Sequence, residues 1–387
     1  MIIEKEGVSG IFNRIKIKYA FFSYSFSNFL NFGKKTYHIG MIGIYNAGDT
    51  VLFKEVENVL NQVFRGWYKR KIGKEVTENE VEKINKSKAV VLGGGGLLLK
   101  DTNENPRSGW QFDISLENLK KIKVPLIIYA IGYNRFREQD EFEGIFKKHL
   151  EETVSKSLFF GLRNYGSIER VKSYLPESLH HKVFYQPCPT TIIKYQHPYY
   201  YKKIDLEKEK RLAINIAFDR EKMRFGNKQE MIINDIITFA KKRKNEGWKV
   251  IFVNHCPIDE KIVNYLDNDF EIVNLFFKKA KATYNFYSNM PIVIGMRGHA
   301  QMIPFGMGNP IISLISHNKM KWFLDDIKHQ EWGLEIQEDN LFERLDEKFN
   351  YIVNNYKLIR LQISESQEKL FQVTLNNIKF LNERLNN

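Results

Sequence analysis

Short apolar runs alternate with helical stretches in two successive series, and that alternation restricts the chain to parallel sheets covered by helices on both faces. In the first series the pattern predicts strands at 38–44, 89–92, 125–131 and 157–162, with helices over 50–63 and 167–174 and a glycine-rich turn after residue 92. A charged, tyrosine-rich stretch over 195–210 interrupts the rhythm and reads as a linker. The second series predicts strands at 212–217, 250–254, 271–275, 291–295 and 310–314, with helices over 229–245, 258–266 and 300–306. At 387 residues, 43% of them hydrophobic, the chain can bury two cores without disulfides or a structural metal. The expected organisation is an aromatic and basic segment over 1–36, a Rossmann-like domain over 37–200, a second over 211–330, and C-terminal helices over 340–387 that strap the halves together.

The formal charge of +13 favours anionic partners. It does not imply nucleic acid, because no nucleic-acid module is present and scattered lysines account for the excess. The run Lys241-Lys242-Arg243-Lys244 reads as a solvated helix end. Cys188 and Cys256 form no close pair, which suits a reducing cytoplasm. No run reaches the roughly 18 apolar residues of a spanning helix. Arg14, Lys16 and Lys18 precede Phe21, Phe22, Phe26, Phe29 and Leu30, so the N-terminal segment suits either packing on the protein body or peripheral contact with an anionic membrane.

Charged residues that follow predicted strands are the candidate site residues, because a cleft at strand ends can hold charge that an interior would penalise. Arg297, Gly298 and His299 follow one such strand, and Lys319 lies just beyond the next. An arginine, an imidazole and a lysine together suit a small, highly charged anion whose reaction moves a proton. Arg163 ends another predicted strand, and His255 is a further imidazole in such a position. Gly94 and Gly95, within Gly93 to Gly96, would let backbone N–H groups approach a ligand, although the spacing is neither a P-loop nor a dinucleotide fingerprint. Tyr45, Asn46 and Asp49 open a predicted helix and suit either substrate contact or capping. Asp101, Arg107 and Trp110 offer planar and aromatic surfaces to a sugar-like acceptor. Asp267-Asn268-Asp269 has a metal-binding form but reads as a turn, and no residue cluster has convincing metal spacing.

The set Tyr45-Asn46-Ala47-Gly48-Asp49, Gly93 to Leu98, Gly161-Leu162-Arg163, Pro187-Cys188-Pro189-Thr190 and Arg297-Gly298-His299-Ala300 continuing to Lys319 resembles the polysaccharide pyruvyl transferase family over roughly 37–327. The resemblance implies an α/β fold of two Rossmann-like, doubly wound halves facing across a cleft, a glycosyltransferase-B-like arrangement. It implies a cytoplasmic transferase of cell-surface polysaccharide biosynthesis, working at the inner membrane face. That enzyme would move the pyruvyl group of phosphoenolpyruvate onto hydroxyls of a saccharide acceptor, lipid-linked or nucleotide-linked, usually as a ketal, with no cofactor. It places Tyr45, Arg163, His299 and Lys319 at the phosphoenolpyruvate site, with Arg297 beside them. The sequence departs from the family in Gly298, where leucine is common, and in Asn164, where an acid is common. The alternative reading is a metal-independent glycosyltransferase of the same architecture using a nucleotide sugar.

Overall fold

A computed structural model describes residues 34–386, apart from positions 138 and 203. The aromatic and basic residues 14–30, the candidate segment for membrane contact, lie outside the described residues.

The first half is a six-stranded, wholly parallel sheet built from β1 (Thr36–Gly40), β2 (Trp67–Lys71), β3 (Val90–Leu98), β4 (Leu126–Tyr133), β5 (Phe159–Leu162) and β6 (Val183–Tyr185), in the order β2-β1-β3-β4-β5-β6. The second contains β7 (Arg211–Asn215), β8 (Lys249–Asn254), β9 (Glu271–Asn274), β10 (Ile292–Gly295), β11 (Ile311–Ile315) and β12 (Gly333–Glu335), in the order β12-β11-β10-β7-β8-β9. Six helices bear on the argument: α1 (Ala47–Leu60), α2 (Tyr165–Lys172), α3 (Gly298–Gly306), α4 (Asn318–Ile327), α5 (Leu341–Asn354) and α6 (Tyr356–Asn386). Both halves are doubly wound and Rossmann-like, as expected.

The central strands are apolar throughout because both faces are covered; all eight residues of β4 are buried. The predicted turn after residue 92 is instead strand, since β3 continues through its four glycines. Close packing explains their presence. A Cβ on Gly94 would come 2.7 Å from the Leu52 side chain of α1, and one on Gly96 would come 2.7 Å from that of Asn134. The stretch predicted as helix over 258–266 is a 3-10 segment, Pro257–Tyr265.

α6 does strap the halves. Its Asn377 Nδ2 donates to the Tyr185 carbonyl of β6 in the first half at 2.9 Å, while Gln367 Nε2 donates to the Phe305 carbonyl in the second half at 2.5 Å. One apolar cluster consequently contains Val56 and Phe159 from the first half, Ile214 and Phe305 from the second, and Phe371 from α6. The basic run over 241–244 ends a helix as expected, but Arg243 is buried, paired with Asp346 and Glu246 and lying over Phe239 and Phe349.

Candidate active site between the two sheets

Strand order reverses between β1 and β3 in the first sheet and between β7 and β10 in the second. Ligands of doubly wound folds bind outside the carboxyl ends of strands at such points. A cavity of about 210 Å³ lies there, lined from the first half by Asn46, Asp49, Gly96, Asn134 and Arg163 and from the second by Asp219, Arg224, His255, Arg297, His299 and Lys319. α1, α3 and α4 each present their first turn to it, so helix amino ends add partial positive charge.

Arg163 leaves β5 with its amide donating to the Ile131 carbonyl at 2.9 Å. Asn164 then caps α2 by accepting from the Ser167 amide at 2.7 Å, a task that an amide oxygen performs as well as a carboxylate. The guanidinium of Arg163 is buried, and among the described residues it has no hydrogen-bond or ion-pair partner; Nε is left bare against Gly132. Burial lowers its pKa, against the opposing influence of Cys188 and Asp49. An unpaired buried cation costs several kcal/mol, so its position is consistent with an anionic ligand.

Lys319 Nζ reaches across the cleft and donates to Asn134 Oδ1 at 3.0 Å. Burial, reinforced by Arg224 and Arg163 and opposed by Asp219, lowers its pKa to about 7. His299, in the first turn of α3, rests against Gly48, where a Cβ would come 2.6 Å from the histidine's own Cβ; glycine is required at 48 for the imidazole to enter. Its Nε2 lies 3.8 Å from Cys188 Sγ. Burial, then the charges of Arg163 and Lys319, push this imidazole well below its ordinary pKa, so it is neutral in the empty site. His255 is also neutral, lowered to about 3 by burial, with Nε2 2.6 Å from the Tyr287 hydroxyl. Asp49 is shifted upward, burial outweighing Lys319, Arg163 and Arg297.

Arg297 occupies the cavity floor in a different capacity from the one expected. Its Nε and Nη2 grip Asp259 at 2.7 and 2.5 Å, and Nη1 lies 2.7 Å from Asp219 Oδ1. Those contacts pair the guanidinium with two carboxylates, so Arg297 holds Asp219 and Asp259 in place and its charge is already neutralised. Asp219 also accepts from buried Arg224; burial would raise its pKa, but Arg297, Arg224 and Lys319 together hold it well below the carboxylate range.

Other expected site residues fall elsewhere. Tyr45 is not in the cavity: it is 60% exposed on the outer side of the loop between β1 and α1. Gly94 packs under α1 and Gly95 lies behind the wall, so the lining glycine of β3 is Gly96. Asn46 lines the cavity and caps α1, accepting from the Gly48 amide at 2.9 Å. Trp110 is fully buried with Nε1 on His149, Arg107 is engaged by Asp113, and Asp101 by Arg220; none is free for an acceptor. Asp267 and Asp269 belong to a turn, paired with Lys241 and Lys244. Among the described residues no group of three His, Cys, Asp or Glu side chains is placed to hold a metal ion. Asn134, Asp219, Arg220, Arg224 and Asp259 were not anticipated. Asp219 and Arg220 follow the apolar run of β7, so the strand-end rule that singled out Arg163 could have found them.

The depressed Lys319 amine gives a pH prediction. A bound multivalent anion raises its pKa above the free value of about 7, so below that pH affinity is flat. Above it binding must take up a proton, and affinity falls by up to about tenfold per pH unit. Calorimetry of phosphoenolpyruvate binding in buffers of different ionisation enthalpy is expected to show proton uptake at pH 8. Lys319→Arg, which stays charged, is expected to remove the lysine's share of that uptake.

The chain has a two-domain α/β fold with a cavity lined by arginine, lysine and histidine at the switch points of its sheets, an arrangement suited to a small anion. The chain belongs to the polysaccharide pyruvyl transferase family, whose sequence model matches residues 8–318. No curated protein matches it significantly. Its structure is similar to that of UDP-GlcNAc 2-epimerase from Methanocaldococcus jannaschii, at TM-score 0.52 and 12% identity, over 82% of this chain and 92% of that one. It is likewise similar to a UDP complex of MnaA from S. aureus, at TM-score 0.51 and 12% identity, over 87% and 95%. A Listeria monocytogenes protein titled as a candidate UDP-N-acetylglucosamine 2-epimerase gives TM-score 0.52 and 14% identity, over 86% and 91%. At such identities these likenesses speak for the glycosyltransferase-B-like fold alone.

Proposed function

We propose that the cavity binds phosphoenolpyruvate and that the protein transfers its pyruvyl group to hydroxyls of a saccharide, forming a cyclic ketal in cell-surface polysaccharide biosynthesis. One observation carries this reading: Arg163, cationic, buried and, among the described residues, without an ion-pair or hydrogen-bond partner, shares a cavity with Lys319 and His299. The cavity's volume, about 210 Å³, also favours it over a nucleotide sugar, because drug-sized ligands take roughly 300 Å³ or more.

In this scheme Arg163 and Lys319 clamp the donor's carboxylate and phosphate through charge-assisted hydrogen bonds. Burial and then the charges of Arg163 and Lys319 suppress protonation of His299, and the donor's negative charge offsets the second of these, so ligand binding favours the protonated imidazole. Proton delivery to C3 leaves C2 electrophilic. One saccharide hydroxyl adds to C2 and returns a proton to the base. A second hydroxyl then forms the other C–O bond as the C2–O bond to phosphate breaks, and its proton leaves with inorganic phosphate. Arg163 and Lys319 stabilise the departing charge, and the scheme calls on no cofactor.

The test is mass spectrometry of saccharide acceptors incubated with the protein and phosphoenolpyruvate. The expected product is heavier than the acceptor by one pyruvic acid less one water, with phosphate released only when acceptor is present. Phosphate release that ignores the acceptor, or none across a broad acceptor panel, would overturn the proposal.

A further inference from the structure

The loop between β1 and α1 has its two ends, Met41 and Asn46, in the cavity wall, yet its middle faces outward. Ile44 and Tyr45 are 44% and 60% exposed there. Phe277, from the second half, is 58% exposed and meets Tyr45 edge-on with ring centroids 5.9 Å apart. Its amide donates to the Ile44 carbonyl at 2.5 Å, so the patch straddles the cleft at the cavity rim. Phe277 has φ +56°, a left-handed backbone that a bulky aromatic residue rarely adopts and that needs support from its surroundings.

Lys278, Lys279 and Lys281 follow directly, all exposed and, among the described residues, without an ion-pair partner. The exposed carboxylate of Glu260, on the neighbouring Pro257–Tyr265 segment, accepts from Asn274 Nδ2. Contiguous exposed apolar side chains bordered by free lysines match one surface well: an anionic bilayer, where rings and aliphatic groups enter the headgroup layer while ammonium groups meet lipid phosphates.

We propose that the rim formed by Ile44, Tyr45, Phe277 and Lys278 to Lys281 docks the protein on an anionic membrane and turns the cavity mouth toward it. Attachment is peripheral, since no helix among the described residues is long and apolar enough to cross a membrane. The consequence that a lipid-linked saccharide reaches the cavity from the bilayer rests on the proposed pyruvyl transfer; docking itself does not.

The experiment is co-sedimentation of the full chain with phosphatidylcholine vesicles containing or lacking phosphatidylglycerol. Binding is expected to need the anionic lipid and to weaken with salt. Ile44→Ser with Phe277→Asn is expected to lower partitioning at least about tenfold. Reversing Lys278, Lys279 and Lys281 to glutamate is expected to lower it about a hundredfold. Asparagine tolerates the left-handed backbone at 277, and unchanged melting curves would show both variants folded. Undiminished binding by both folded variants, equal binding to neutral vesicles, or a self-associating species that Phe277→Asn disperses without any vesicle binding would each overturn the proposal. Vesicle binding is read without turnover, so failure of the pyruvyl transfer assay would leave the docking result standing.

Discussion

Replacing Arg163 with methionine is expected to cut kcat/KM for phosphoenolpyruvate by about 10³-fold while leaving the protein as stable as before or more so. The loss follows from removing a buried, charge-assisted donor pair, an effect worth roughly 3–4 kcal/mol where charge develops in a water-poor site. The stability gain follows because the wild-type guanidinium is buried with no partner among the described residues. Exchanging such a charge for an apolar side chain of similar length is neutral or stabilising by about 1–4 kcal/mol, enough to raise Tm by a few degrees. Steady-state kinetics beside differential scanning calorimetry checks both halves. A variant that loses activity only in proportion to a lowered Tm would show that Arg163 supports the fold instead of the ligand.

The second large effect is expected for His299→Asn. Positioned proton transfer contributes about 10²–10⁴-fold, and kcat is expected to fall by that range. Donor affinity is expected to change much less than kcat, because burial and the neighbouring cations keep the imidazole neutral before the donor binds, and Arg163 and Lys319 remain to hold the anion. A thermal shift by phosphoenolpyruvate should therefore survive in a variant that hardly turns over. If the shift disappears along with turnover, His299 serves mainly to bind the anion, and another group moves the proton.

Both predictions depend on residues that could be named from their positions at strand ends. The interior strands were equally legible: β4 and β11 are buried along their whole length, which forces continuous apolar runs. The strands that went unanticipated, β2, β6 and β12, lie at sheet edges. β2 reads Trp-Tyr-Lys-Arg-Lys, with none of its five residues buried, so its pairing with β1 is held by backbone hydrogen bonds and leaves little hydrophobic signature. The glycines of β3 misled for a related reason: glycine signals a turn by composition, whereas here it lets α1 and the Asn134 loop pack against a continuing strand.

Within the site, residue types were legible and their engagements were not. A tyrosine beside a capping asparagine gives no sign of its direction, and Tyr45 faces solvent while Asn46 faces the cavity. Arg163 and Arg297 look alike in sequence, each closing a strand. Arg297 meets Asp219 and Asp259, contributed by segments 78 and 38 residues away, whereas among the described residues no side chain pairs with Arg163.

By itself the sequence determined two doubly wound halves, the strand ends at which charge gathers, and the family, because hydrophobic periodicity and local motifs are written in neighbouring residues. Only the tertiary structure decided which cation is neutralised and which is left for a ligand. A pKa or a free hydrogen-bond donor depends on burial and on charges brought close from distant parts of the chain, and folding alone sets those distances.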